Sequence, residues 1–257
     1  MRAPALRGRI DRRISVFYRL DPTAARALLP QGLRPRLFRG WALGGVCMLR
    51  LARMRPRLLP IPVGLASELA WHRVAVEWDE GGRTLHGHYL LRSETDSRLA
   101  PIPGARLVPS PDDCTRIEVR ATEEELVGRV DSGDGSTDVE LVASVAPWAE
   151  GTLFKSANAA REAIASGHVV WDGEADGALE GVELRSTGGA SEGLHVRRLR
   201  SQWFEDPDRF PPGTATLDCA IVVRDADHEW HAPASEQAGG LAGASSTAAA
   251  GVPAPAP

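Results

Sequence analysis

Alternation of apolar and polar residues dominates this chain, and a helical period is rare. In ELAWHRVAVEW at 68–78, His72, Val74, Val76 and Trp78 fall on one face and Arg73, Ala75 and Glu77 on the other, which is the two-residue period of a strand. DEGG at 79–82 reads as a hairpin turn. RTLHGHYLLR at 83–92 then returns with His86, His88, Leu90 and Arg92 on one face. Further strands are predicted over 14–20, 42–54, 115–121, 125–130, 137–145, 195–204 and 215–225, with DSGDGS at 131–136 as a second turn. Gly44–Gly45 marks a bulge or a close backbone approach. Two helices are legible. Asp21 caps one over 23–29, with Pro22 in its first turn and Pro30 as its stop; Ser156 caps ANAAREAIAS, which Gly167 ends. Short strands joined by turns predict a mainly β fold, a barrel or strongly curved antiparallel sheet with two or three short helices. One domain is expected over 1–232. From 233 the residues are mostly Ala, Gly, Ser and Pro, too poor in large apolar side chains to offset ordering entropy, so 233–257 is expected to be a disordered tail.

Composition sharpens this picture at three points. The apolar fraction of 43% supports a core without disulfide staples, and the three cysteines lie far apart, which suggests a reducing compartment and a cytoplasmic protein. No apolar run approaches the roughly 20 residues of a membrane span, and MRAPALRGRIDRR lacks the apolar segment of a secretory signal. Residues 1–60 hold 14 Arg against 2 Asp, a local balance of +12, so the remainder carries −16 to reach the overall −4. Because the arginines are interspersed with Leu and Pro, internal pairing with later acidic strands is favoured over an anionic partner. Lys155 is the sole lysine.

The chemical motifs are few. Gly189-Ala-Ser191-Glu-Gly193 matches GxSxG, but that nucleophile needs a strand, an elbow and a helix. Here it follows RSTGG and precedes HVRRLR, so a flexible loop is expected. His86 and His88 share a strand face as two metal ligands would, and His228 and His231 supply two more. A site needs three or four converging ligands, so no metal is assigned and His86 with His88 stays the alternative. Asp218 and Arg224 share a face with Ala220 and Val222. Either they line a polar cavity or they form a buried pair, because a lone charge on an apolar face is costly. Glu68 raises the same question. Arg92, Glu94, Asp96 and Arg98 form an alternating charge cluster. No phosphate loop, dinucleotide fingerprint or nucleic-acid module is present, so no cofactor and no nucleic-acid partner are expected.

Three segments together resemble a known family. LDPTAARALLPQGLRPRLFRGWALGGVCML at 20–49 is similar to the opening of the YqjF-like bacterial proteins, a conserved domain of unknown function. SELAWHRVAVEW at 67–78 with RSETDSRL at 92–99, and FEDPDRFPPGTATLDCAIVVRDADHEWH at 204–231, resemble further parts of it. The resemblance implies the acetoacetate-decarboxylase-like superfamily, a cone-like antiparallel barrel with a central cavity. The decarboxylase itself uses a Schiff-base lysine beside a second lysine. The corresponding stretch here looks like GARLVPSPDDC at 104–114, with Asp112 and Asp113 and no lysine. The expected function is therefore that of a ligand-binding barrel taking a small organic molecule, with Glu68, His72, Arg92, Asp218 and Arg224 as cavity candidates. The rival readings are an acid–base enzyme acting on a small organic acid, with His72 or Glu68 as base, and an interaction protein with a basic N-terminal surface.

Overall fold

A computed structural model describes residues 6–56, 65–96, 115–165, 169–173 and 179–231. The 104–114 stretch, Arg98, Cys114, Gly167 and the tail from 233 lie outside the described residues.

The chain runs β1 (Leu6–Leu20), α1 (Pro22–Ala27), β2 (Arg34–Pro35), β3 (Leu37–Phe38), β4 (Trp41–Pro56), β5 (Leu65–Glu80), β6 (Arg83–Thr95), β7 (Arg116–Ala121), β8 (Glu125–Asp131) and β9 (Val139–Val145). It continues through α2 (Ala157–Ala165), β10 (Val169–Asp172), β11 (Glu180–Ser201), α3 (Gln202–Glu205) and β12 (Ala215–His231). α1 and α2 begin where the caps predict, whereas α3 replaces the end of the strand expected over 195–204 and has no side-chain cap. Asp21 accepts from the backbone N–H groups of Thr23 and Ala24 at 2.8 and 3.0 Å, and the Ser156 hydroxyl accepts from Ala159 N–H at 3.1 Å.

Strand order is β10-β6-β5-β4-β1-β12-β11-β9-β8-β7, and β10 also pairs with β11. That second pairing closes the first seven strands into a ring. Every pairing in the ring is antiparallel except β10 with β6, which is parallel. The sheet is thus mixed at one seam, where an all-antiparallel one was expected.

Three elements correct the reading of the sequence. β1 starts at Leu6, within the arginine-rich stretch, because it is hydrogen-bonded on both edges by β12 and β4. β10 has four residues, too few to show a period. GASEG lies inside β11, where a loop was expected: Ser191 pairs with Val223 and Gly193 with Ile221. Gly188 and Gly189 take positive φ angles opposite Asp225, itself at φ 59°, and the β11–β12 register is the same on either side. No elbow presents Ser191, whose hydroxyl donates to the Asn158 side-chain oxygen.

Both faces of the ring are buried. One face of β1, β4, β5 and β12 packs against β7–β9, α1 and α3, with Ile14, Val16, Met48, Ala70, Val74 and Val222 in that core. The other face gathers Leu6, Phe17, Leu49, Trp71, Leu90, Val170, Val182 and Ile221 from all seven ring strands, with Ala157, Ala160 and Ile164 of α2. The seam is fixed by two indoles. Trp171 of β10 is fully buried and meets Trp78 of β5 edge-to-face at 5.4 Å. Gly87 and Gly181 make room for them; a Cβ on Gly181 would stand 2.8 Å from the Trp171 ring. Trp171→Ala is expected to destabilise by about 3–5 kcal/mol through the cavity it leaves. Urea denaturation checks this, and a loss below about 1 kcal/mol would mean that the seam does not hold the ring closed.

Candidate functional site

Inside the ring lies a cavity of about 270 Å³. Its lining comes from strands around the ring: Arg13 of β1, Trp71 and Arg73 of β5, His88 of β6, Val170 of β10 and Leu184–Thr187 of β11, with Ile164 and Ala165 of α2. A crevice of about 10 Å³ shares Arg73 and His88 and reaches Gly44 and Gly45, enough for roughly one water. The two glycines admit no larger side chain there without a shift; a Cβ on Gly45 would lie 2.0 Å from the Val16 carbonyl oxygen.

The cavity is rich in unsatisfied polar groups. Arg13 Nε, Arg73 Nη2, Trp71 Nε1, His88 Nδ1 and, just behind, His228 Nε2 are buried without a hydrogen-bond partner. Buried polar atoms are ordinarily bonded, so five in one place mark a site built for something else to complete. His88 Nε2 lies 3.1 Å from the Ile164 carbonyl oxygen. A carbonyl only accepts, so Nε2 carries the proton and the neutral ring turns the lone pair of Nδ1 outward. His228 Nδ1 is 2.7 Å from the Ser186 hydroxyl. With that hydroxyl donating, Nε2–H of His228 is a free donor.

Electrostatics keeps both rings neutral. Burial, then the Arg73 guanidinium, lowers His88 to about 3. Burial, then Arg13, lowers His228 to about 3. Arg13 is itself pushed down by burial and by the like charge of Arg73. Among the described residues no carboxylate pairs with Arg13 or Arg73.

The residues singled out from sequence are placed elsewhere. Glu68 is buried and accepts from Arg12 at 2.7 Å and Arg50 at 3.1 Å. His72 shows no exposed surface, lies on the opposite face of β5 from Arg73, and is boxed by Trp203 and Phe204 with ring centroids 6.0 and 6.1 Å away. Arg92 is exposed, its guanidinium 5.8 Å from the Trp203 ring. The strand pairing explains this: His72 faces Arg92 and Arg73 faces Leu90, so Leu91 is an extra residue that takes Arg92 off the His88–Leu90 face. Arg224 reaches Glu192 at 3.4 Å and the Thr122 carbonyl at 3.3 Å. Asp218 sits at a β12 bulge opposite Phe17–Tyr18 and lines a second cavity, also about 270 Å³, between β11, β12 and residues 146–149. Its carboxylate is already taken by Arg19 at 2.6 Å and by Leu153 N–H at 3.1 Å. That cavity lacks the orphaned donors of the first.

Of the histidine pair, His88 enters the first cavity, whereas His86 stands 3.7 Å from Glu77. Among the described residues no three His, Cys, Asp or Glu side chains gather as a metal set. The charge cluster divides. Glu94 is buried against the hydroxyls of Thr115 and Thr137, and Asp96 accepts from Glu68 N–H at 2.8 Å. Early arginines are matched internally: Arg9 with Asp225, Arg12 and Arg50 with Glu68, Arg19 with Asp218, and Arg34 with Glu77 and Asp79. Lys155 is exposed just before α2. No helix among the described residues is long and apolar enough to cross a membrane.

No protein-family model matches the chain, and neither does any curated protein sequence. Solved structures do. Acetoacetate decarboxylase from Legionella pneumophila superposes with a TM-score of 0.57 at 15% identity, covering 90% of this chain and 88% of that one. An acetoacetate-decarboxylase-like enzyme from Sphingomonas wittichii RW1 gives 0.52 at 14%, covering 90% and 92%. The enduracididine biosynthesis enzyme MppR, in its complex with pyruvate, gives 0.55 at 14%, covering 90% and 89%. The chain therefore has the acetoacetate-decarboxylase-like fold, in agreement with the fold class expected from its strands.

Proposed function

We propose that this chain is a cytoplasmic small-molecule-binding protein, a YqjF-like member of the acetoacetate-decarboxylase-like superfamily whose ring cavity holds a small organic ligand without Schiff-base chemistry. The observation that carries this reading is the set of orphaned polar groups around one cavity, against a sole lysine that faces solvent. A Schiff base needs an amine of depressed pKa held against the substrate carbonyl in a dry site, and a guanidinium cannot replace it. The solved complex of MppR with pyruvate supports a small organic molecule as the kind of ligand this fold accommodates.

The acid–base alternative is weaker. Its two candidate bases are otherwise engaged: Glu68 by two guanidiniums, and His72 inside an aromatic box. His88, the one imidazole with a free lone pair in the cavity among the described residues, is held near pKa 3 and is a poor base at neutral pH. No metal, cofactor or nucleic-acid partner is part of the proposal.

Two measurements test it. A thermal-shift screen of small polar metabolites should give hits that Val170→Trp abolishes by filling the cavity; hits that survive Val170→Trp would move the site elsewhere, and a screen without any hit would overturn the reading. Incubation with acetoacetate and borohydride should leave the protein mass unchanged. A stoichiometric adduct on Lys155 would make the chain a Schiff-base enzyme after all.

A further inference from the structure

We infer that the ligand of the ring cavity is a short dicarboxylate, held at one end by Arg13 and at the other by Arg73. This rests on the reading of the cavity as a ligand site and adds the ligand's charge and shape.

The first argument is charge balance. Among the described residues the lining contains three arginines and no Asp or Glu. Arg185 is neutralised by Glu183 at 2.8 Å, which leaves two guanidiniums facing the cavity without a carboxylate among the described residues. An uncompensated buried charge is among the costliest features a fold can keep. Two of them repelling each other in one cavity are matched by two negative charges, so a monoacid would leave one cation unpaired.

The second argument is spacing. β1 and β5 flank β4, so the Arg13 and Arg73 backbones stand about 10 Å apart across the sheet. They are also offset along it, because Arg13 pairs with Leu49 of β4 and Arg73 faces Gly45. Two attachment points at that separation suit a two-headed ligand better than one compact anion. Guanidinium forks match planar carboxylates in a bidentate fit.

The third argument is the wall between them. Trp71, Val170, Leu184 and Ile164 supply apolar surface, the partner for a short methylene spacer. The Trp71 and His228 N–H groups remain as donors for the outer carboxylate oxygens. The volume of about 270 Å³ is close to the lower bound of ligand pockets, about 300 Å³, which fits a small diacid.

Isothermal titration calorimetry at pH 7.5 with succinate, glutarate and adipate, against pyruvate, acetoacetate and inorganic phosphate, tests this. The expected result is that at least one diacid binds tenfold or more tighter than either monoacid and tighter than phosphate. Arg13→Gln and Arg73→Gln should each weaken that diacid at least tenfold and bring it level with the monoacids. Both variants should melt no lower than the parent without ligand, because each removes a cation that has no counter-charge among the described residues, so lost binding cannot be ascribed to unfolding. Monoacids binding as tightly as the diacids would overturn the charge argument. A preference for phosphate would overturn the two-headed geometry. Failure of every diacid would sink the inference while leaving the ligand cavity standing, since the metabolite screen and Val170→Trp test that separately.

Discussion

Lowering the pH from 7.5 to 5 is expected to cost this protein about 6 kcal/mol of folding stability from three histidines alone. His72, His88 and His228 are each held near pKa 3 in the folded state, in every case chiefly by burial. Neighbouring guanidiniums add to it: Arg92 and Arg209 at His72, Arg73 and Arg13 at His88, Arg13 at His228. In the unfolded chain an imidazole titrates near 6.5. The folded pKa is thus depressed, so the unfolded state binds more protons as pH falls. Stability is complete above about pH 6.5 and is lost progressively below it, by about 2 kcal/mol per histidine at pH 5. Three such losses approach the whole stability of a typical domain, about 5–15 kcal/mol. Urea midpoints at pH 7.5, 6.0 and 5.0 measure the effect, and a midpoint that does not move over this range would contradict it. His72 allows a sharper version. Neither of its ring nitrogens has a partner, and Trp203 and Phe204 flank it, so His72→Phe should remove about a third of the acid sensitivity and stabilise the protein at neutral pH.

The second large effect is expected at Glu68. Its carboxylate joins Arg12 of β1 and Arg50 of β4 to β5, and Arg12 is only 8% exposed. Glu68→Gln leaves a buried guanidinium without its counter-charge, and the expected loss is about 3–5 kcal/mol. Replacing both partners, Glu68→Leu with Arg12→Met, should recover most of that loss, because a well-packed apolar pair avoids both desolvation costs. Guanidinium-chloride titration of the singles and the double closes the cycle. A double variant as unstable as the Glu68 single would show that the residues act by shape and not as an ion pair.

The strand-rich class, the helices α1 and α2 and their capping residues were legible in the sequence, because each rests on local chemistry. Asp21 and Ser156 cap wherever the following N–H groups need an acceptor. The β5–β6 hairpin follows from alternation and the turn at 81–82. Non-local pairing was not legible. β10 takes its strand form from β6 on one side and β11 on the other. The glycine-rich middle of β11 is held extended by β12, against its own propensity.

The candidate site was missed for a related reason. Alternation along β5 separates His72, Val74 and Val76 from Arg73 and Ala75, and the apolar row reads as the buried face. The sequence therefore pointed to His72, Glu68 and their like. In the folded chain both rows are buried, one under β7–β9 and the other inside the ring. Arg73 stands on the face of β5 opposite the apolar row, and Arg13 is one of a run of arginines of which Arg9, Arg12 and Arg19 are matched by later acids. Bulges added a second obstacle: one extra residue at Leu91 changes which face Arg92 occupies, and no period in the sequence records it. The sequence by itself determined that this chain forms strands, where its helices begin, and that only one ε-amine is available for chemistry. Tertiary structure decided which face of each strand looks inward, because ring closure through β10 depends on contacts between segments some eighty residues apart in sequence, as between Tyr89 and Trp171, and no local pattern encodes them.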